Sequence, residues 1–179
     1  MYNPYRYYRY PNGGDSRFDE DYKTYPYTYE HNTQMSNSSL VFEDYGAKPF
    51  VVNIDDATKL NNAFRRALWT GKHLQLTLMS IDVGEEIGLE VHPELDQFIR
   101  IEDGQGLVLM GDNKYNMDFK IKVFDDFAFI IPAGIWHNLI NTGNVPIKLY
   151  SIYTPPEHPH GTVHQTRAIA EEAEKDHAY

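Results

Sequence analysis

The stretch GEEIGLEVHPELDQFIRIEDGQG, residues 84–106, places acidic, histidine and glutamine side chains between short apolar runs. Side chains two residues apart lie on the same face of an extended strand. Glu90 and His92 would therefore point the same way, and the strand after the turn would bring Gln97 back on one alternating face. The pattern predicts a group of polar side chains on one face of two neighbouring strands.

The stretch IPAGIWHNLIN, residues 131–141, holds one histidine, His137, in an otherwise apolar run after a Pro-x-Gly turn. If both stretches line one barrel, four side chains can converge: Glu90, His92, Gln97 and His137. Glu, His and His form the donor set of open divalent-metal sites, and Gln adds a neutral oxygen. A buried glutamate is costly without a cation or a cationic partner. We therefore expect one divalent ion (Zn, Mn, Fe, Ni or Co), the alternative being a metal-free barrel in which these side chains form hydrogen bonds.

The composition limits the classes of function. The 179 residues suit one domain with a tail, and the absence of cysteine excludes disulfides and thiolate ligands. The charge of −10 argues against nucleic acid, because phosphate contacts need clustered Lys and Arg. The sequence has neither a membrane-spanning apolar run nor a signal-peptide pattern. We expect a cytoplasmic homodimer that binds a small molecule and neither nucleic acid nor membrane.

Residues 1–39 differ in composition from the rest of the chain. They contain nine of the fourteen tyrosines and no Leu, Ile or Val. Such a segment cannot bury enough apolar surface to offset its ordering entropy. We predict a disordered or adhesive tail, the alternative being that its tyrosines lie along the domain or a neighbouring subunit.

The remaining chain divides into a domain over 40–165 and a short helix over 166–179, with Thr166 as its cap. A first helix is predicted over 55–69, capped by Asp55 or Asp56, because apolar residues recur at every fourth position. Short alternating runs bounded by turn residues then predict β-strands in a sandwich or barrel. These strands are 73–83, 87–94, 96–106, 106–113, 118–124, 126–134, 136–143 and 145–156.

The first stretch resembles the first motif of the cupin family, G-x5-H-x-H-x3,4-E-x6-G. Gly84 and Gly104 match its glycines. Glu90 stands at the first histidine position, His92 at the second, and Gln97 at the glutamate position. Relative to the motif, the set still contains one carboxylate, but this carboxylate lies at position 90. The glutamate position, 97, carries an amide oxygen instead.

The second stretch resembles the second cupin motif, G-x5-P-x-G-x2-H-x3-N. Pro132, Gly134, His137 and Asn141 match it, whereas Asp126 stands where the leading glycine belongs. Together the two motifs imply an all-β fold, the cupin jelly-roll barrel, with one helix before the barrel and one at the C-terminus. They also imply that the four residues at the histidine and glutamate positions are the metal ligands.

Cupins support several activities, so the fold does not fix the reaction. The type I mannose-6-phosphate isomerases use a Gln, His, Glu and His zinc set, which this chain matches with Gln and Glu exchanged. The stretches at 67–81 and 149–159 are also similar to small single-domain cupins labelled mannose-6-phosphate isomerase. The resemblance implies a metal-dependent isomerisation or related proton transfer on a small sugar or hydroxy-carbonyl compound, with mannose 6-phosphate the first substrate to test. The alternative is an unphosphorylated sugar or sugar acid, because the chain is acidic and has no glycine-rich phosphate-binding loop.

Two residues are candidate catalytic proton shuttles. His73 would share a strand face with Gln75, and Tyr153 would share one with Ser151. The segment PPEHPHGTVHQT, residues 155–166, carries three more histidines. We expect an exposed loop there, the alternative being a lid over the barrel mouth.

A hypothesis of a different class comes from the tail, since tyrosine-rich segments resemble those of spore-coat proteins. The chain would then be a non-catalytic, sugar-binding or surface-assembly cupin located in the spore coat. The two hypotheses differ in one test, because an enzyme would tolerate loss of the tail and an assembly protein would not.

Overall fold

The computed structural model describes residues 41–176, so the expectations for residues 1–39 lie outside the described part of the chain. The elements, in chain order, are α1 (Ile54–Leu60), β1 (Arg65–Thr70), β2 (Gln75–Ile81), β3 (Asp96–Asp103), β4 (Gly106–Gly111), β5 (Phe119–Val123), β6 (Ala128–Ile131), β7 (Trp136–Asn141), β8 (Ile147–Thr154), β9 (Val163–His164) and α2 (Arg167–Asp176). The hydroxyl of Thr166 caps α2 by accepting from Ile169 N at 3.4 Å. Within these residues, no helix is long and apolar enough to cross a membrane.

The strands form two antiparallel sheets. The larger has the order β6-β3-β8-β2-β1-β9 and the smaller β5-β4-β7. One buried apolar cluster contains residues of both sheets, including Ile99 and Leu149 from the larger and Val108 and Leu139 from the smaller. The two sheets therefore share a core, and the predicted all-β barrel with one helix on each side in sequence is confirmed.

The first helix is shorter than predicted. It ends at Leu60, because the backbone of Asn61 turns to an extended conformation and its side chain hydrogen-bonds the backbone of Ala63. The cap is Asn53, which accepts from Asp56 N at 3.4 Å. The prediction of a helix over 55–69 capped by an aspartate was therefore wrong, since β1 takes its second half and pairs with β2.

The predicted strand over 87–94 was also wrong. Within that segment Glu90 forms an isolated bridge with His137, and Glu86, just before it, forms another with Ile140. Gly88 has φ 102°, a left-handed conformation that a regular strand does not contain. The other predicted strands correspond to β2–β8, with shorter bounds.

Asp126 retains the backbone of the glycine that it replaces in the second motif. Its φ of 69° is left-handed, like the 79° of Gly84, the 94° of Gly104 and the 81° of Gly134. The Asp126 side chain accepts from Arg100 Nη2 at 2.7 Å. Aspartate tolerates this region better than most residues do, so the turn before β6 keeps the conformation of the motif.

The segment over 155–166 packs on the larger sheet. The side-chain amide of Gln75 forms two hydrogen bonds with the backbone of His158. Gln75 Nε2 donates to His158 O at 2.8 Å, and Gln75 Oε1 accepts from His158 N at 2.9 Å. Further on, Ala67 N donates to Thr162 O at 2.8 Å and β9 pairs with β1. The expectation of an exposed loop was wrong for His158 and right for His160, whose side chain is 59% exposed.

Candidate metal centre

The residues Glu90, His92 and His137 meet where the segment before β3 lies against β7. Glu90 N donates to His137 O at 3.1 Å, and His137 N donates to Glu90 O at 2.9 Å. Gly134 N donates to His92 O at 2.8 Å, which ties the same segment to the turn before β7. One ligand atom from each of the three side chains lies within 4.8 Å of the others. The separation suits a shared metal ion.

Both histidines present Nε2 to the carboxylate of Glu90. The distances to Glu90 Oε1 are 3.4 Å from His137 Nε2 and 3.7 Å from His92 Nε2. Their Nδ1 atoms have other partners, the carbonyl oxygen of Ile135 at 3.0 Å for His137 and the carboxylate of Glu157 at 3.3 Å for His92. Metal-binding histidines commonly show this arrangement, because a partner on one ring nitrogen orients the other.

Several buried polar atoms lack a hydrogen-bond partner in the described part of the chain, and three of them belong to predicted ligands. They are His92 Nε2, His137 Nε2 and Gln97 Oε1. Gln97 donates its Nε2 to Ser151 Oγ at 2.9 Å, which leaves the amide oxygen as the unpartnered atom. Buried polar atoms without partners are rare, and an ion is one accepted explanation. Three of the four predicted donors are therefore among the buried atoms without a hydrogen-bond partner.

Glu90 is ionised in this environment. Burial alone would raise the pKa of its carboxyl, but His137, His92 and Arg65 hold that pKa well below its usual range. Arg65 is buried, and its Nη2 lies 3.8 Å from Glu90 Oε2. Glu90 therefore has a cationic partner in the protein itself, which the sequence analysis did not find.

His92 lies between two carboxylates. Burial alone would lower its pKa, but Glu157 and Glu90 raise the pKa of His92 to about 9. A metal ion needs the neutral imidazole, so loading the site would release a proton.

The two candidate proton shuttles lie in different surroundings. Tyr153 is buried, and its ring centroid lies 5.7 Å from that of His92 in an edge contact. Desolvation raises the pKa of Tyr153 to about 12, so the hydroxyl keeps its proton at neutral pH. His73 lies in the exposed turn before β2 rather than in the strand, so the shared strand face with Gln75 was wrong.

Sequence reasoning missed Arg65, Glu157 and His158. The ring of His158 makes an edge contact with Tyr153 at 5.2 Å, and burial lowers the pKa of His158 to about 3, which keeps it neutral. Their contacts join segments far apart in the chain, and no local motif marks them. The density of histidines after β8 was the one available signal, and it was interpreted as a loop.

A cavity of about 380 Å³ opens beside the centre. His92, Pro93, Glu94 and Leu95 line one side, and Pro155, Pro156 and Glu157 line the other. Its volume falls in the range of small-molecule sites. A larger cavity of about 590 Å³ lies away from the ligands, between residues 47–52, Trp69, Leu74 and Leu76. The smaller cavity is the one that adjoins the site, because His92 forms part of its wall.

Comparison with known proteins identifies a matching family model and several similar proteins. A family model described as Cupin domain matches residues 77–153, which include all four predicted ligands. The uncharacterized protein YrkC of Bacillus subtilis is 61% identical over 142 residues, covering 79% of this chain and 76% of the relative. An uncharacterized protein of Acanthamoeba polyphaga mimivirus is 44% identical over 115 residues, covering 64% of this chain and 70% of that protein. The crystal structure of a Bacillus halodurans protein is 68% identical, with a TM-score of 0.72, and covers 73% of this chain and 98% of its own.

Proposed function

This chain belongs to the cupin family, and on that premise we propose that it binds one divalent metal ion and acts as a metal-dependent enzyme on a small sugar or hydroxy-carbonyl compound. Glu90, His92 and His137 would hold the ion, with the amide oxygen of Gln97 as a fourth donor. The observation that carries the proposal is that one ligand atom from each of Glu90, His92 and His137 lies within 4.8 Å of the others, with the carboxylate ionised.

A metal-free barrel explains less of the site. Arg65 compensates part of the charge of Glu90 at 3.8 Å. It does not give Gln97 Oε1 a hydrogen-bond partner among residues 41–176, and the Nε2 atoms of His92 and His137 face Glu90 Oε1 at 3.7 and 3.4 Å without a hydrogen bond. A single cation would satisfy both Nε2 atoms and the carboxylate, because one ligand atom from each of these three residues lies within 4.8 Å of the others.

When bound, the ion would supply Lewis acidity toward a substrate carbonyl or hydroxyl oxygen. The chain would contribute the surroundings of the reacting group. Tyr153 keeps its proton, because desolvation raises its pKa to about 12, so its hydroxyl would donate a hydrogen bond rather than remove a proton. This favours proton transfer assisted by a fixed donor, such as isomerisation.

The cavity favours a substrate without a phosphate group. The charged side chains in its lining, apart from the ligand His92, are the carboxylates of Glu94 and Glu157. Like charges would repel a phosphate at this position. We therefore propose an unphosphorylated sugar or related polyol as the substrate, with mannose 6-phosphate as the phosphorylated comparison.

A panel of aldoses, ketoses and their phosphates tests this function on metal-loaded full-length protein. His137→Ala removes a ligand, and His160→Ala is the matched control because that histidine is exposed. We expect turnover in the wild type and in His160→Ala and its loss in His137→Ala. Equal turnover in all three would contradict a metal-dependent reaction, and no turnover on any sugar would contradict the substrate class.

A further inference from the structure

We propose that Glu157 is a positioning residue for the metal centre, which fixes the ring of His92 so that Nε2 faces the ion. The inference rests on the proposed metal site and adds to it a residue from the segment after β8. Glu157 would touch neither the ion nor the substrate's reacting atoms. Its effect would pass through the imidazole of His92.

The contacts of the His92 ring show that Glu157 is placed to orient it. Glu157 Oε1 lies 3.3 Å from His92 Nδ1, and Glu90 Oε1 lies 3.7 Å from His92 Nε2. A carboxylate on Nδ1 keeps the proton there and leaves the Nε2 lone pair for a metal. The carbonyl oxygen of Ile135 has the same place on His137, at 3.0 Å from Nδ1. The two ligand histidines are therefore oriented in the same way, one by backbone and one by Glu157.

Glu157 is held in place through the contacts of its neighbour His158. The next residue, His158, is held by two hydrogen bonds to the fully buried amide of Gln75. Its ring packs edge-on against Tyr153, and the ring of Tyr153 packs edge-on against that of His92. These contacts fix the backbone that carries Glu157, so its carboxylate has a defined position although its side chain is 35% exposed.

A second carboxylate in the same cavity serves as a control. Glu94 lines the wall beside His92 and forms no hydrogen bond or ion pair with any of the proposed ligands among residues 41–176. Removing Glu94 changes the local charge as removing Glu157 does, but leaves the Nδ1 contact of His92 in place. Comparing the two variants therefore separates the effect of orienting the His92 ring from the effect of removing a negative charge near it.

Titration of the full-length chain with Zn²⁺ and Co²⁺ tests the inference. We expect Glu157→Ala to weaken affinity for both metals roughly 10- to 100-fold and to change the visible spectrum of bound Co²⁺. Glu157→Gln should lose less, since its amide oxygen still accepts from Nδ1–H, and Glu94→Ala should stay within about threefold of wild type. Thermal midpoints of the metal-free proteins identify any variant that simply fails to fold.

The outcomes separate this inference from the function beneath it. Wild type that binds neither metal would overturn the metal site, and the role of Glu157 with it. Wild type that binds metal, beside Glu157→Ala with unchanged affinity and Co²⁺ spectrum, would overturn the role of Glu157 alone. An equal loss in Glu94→Ala would also overturn it, because charge rather than position would then be responsible.

Discussion

His137 Nε2 lies 3.4 Å from Glu90 Oε1, and the backbones of the same two residues exchange a pair of hydrogen bonds. The backbone pair fixes the register between the segment before β3 and β7, so both side chains emerge opposite one another. A carboxylate and an imidazole are thereby held together without a regular strand on one side. The bridge explains how the site forms although the predicted strand over 87–94 does not.

We predict that Glu90→Gln weakens metal binding far more than Gln97→Ala. Glu90 is the only anion among the four proposed ligands, and a divalent charge needs a compensating carboxylate. We expect a loss of at least about 100-fold for Glu90→Gln and about tenfold for Gln97→Ala, measured by titration with Zn²⁺. Equal affinities in the two variants would show that Glu90 is not a ligand.

Replacing Arg65 should destabilise the metal-free protein and increase its stabilisation by metal. Arg65→Met removes the buried guanidinium beside ionised Glu90, so we expect the metal-free form to lose roughly 3 kcal/mol. The same change removes a positive charge near the ion, so the rise of Tm on adding Zn²⁺ should be larger than in wild type. Arg66→Met is the control, because Arg66 packs on Phe42 instead. A metal-induced rise that is unchanged in Arg65→Met would contradict the proposed coupling.

Asp44 should give the protein an acid-sensitive contribution to stability. Burial alone would raise the pKa of this carboxyl, but hydrogen bonds from Thr70, Gly161 and Gly46 lower it below its usual value. A lowered folded-state pKa means that the contribution is complete above the unfolded pKa of about 3.9 and is lost as pH falls through the folded value.

Urea unfolding across pH tests this contribution. We expect Asp44→Asn to cost roughly 2–4 kcal/mol at pH 7, with the difference from wild type shrinking below about pH 4. Asp55→Asn is the control, since Asp55 forms an exposed ion pair with Lys59. A difference that stays constant down to pH 2 would refute the assignment.

The left-handed turn at Asp126 predicts an unusual order of substitutions. Asp126→Gly should stay within about 0.5 kcal/mol of wild type, because glycine relieves the backbone while the exposed pair with Arg100 is lost. Asp126→Val should cost about 1–2 kcal/mol, since a branched residue resists positive φ. Asp125→Val, at the neighbouring exposed position, is the control, and thermal unfolding measures all three. Equal costs for valine at 125 and 126 would contradict the strain.

Motif spacing predicted most of the candidate site. The positions of Glu90, His92, Gln97 and His137 follow from two short stretches whose glycine and proline residues set the turns. Arg65 could not be found in the same way, because the apolar positions at 60, 64 and 68 are four apart and suit one face of a helix or of a strand. These residues form a strand because they pair with β2, and this pairing cannot be inferred from the local sequence.

The contacts of Glu157 and His158 could not be predicted for a related reason. Proline, glycine and histidine residues after β8 indicate a loop, and a loop sequence does not say which surface it covers. Two hydrogen bonds between the side-chain amide of Gln75 and the backbone of His158 decide the placement of His158, and no sequence pattern around Gln75 indicates them. Such long-range polar contacts appear only once the fold is known.

The most direct test of the central claim is the metal content of the full-length protein. Wild type and His137→Ala are incubated separately with Mn, Fe, Co, Ni and Zn, desalted, and analysed by mass spectrometry for metal per chain. We expect about one ion per wild-type chain with at least one of these metals, and almost none in His137→Ala. Folded wild type that retains none of the five metals would contradict the account.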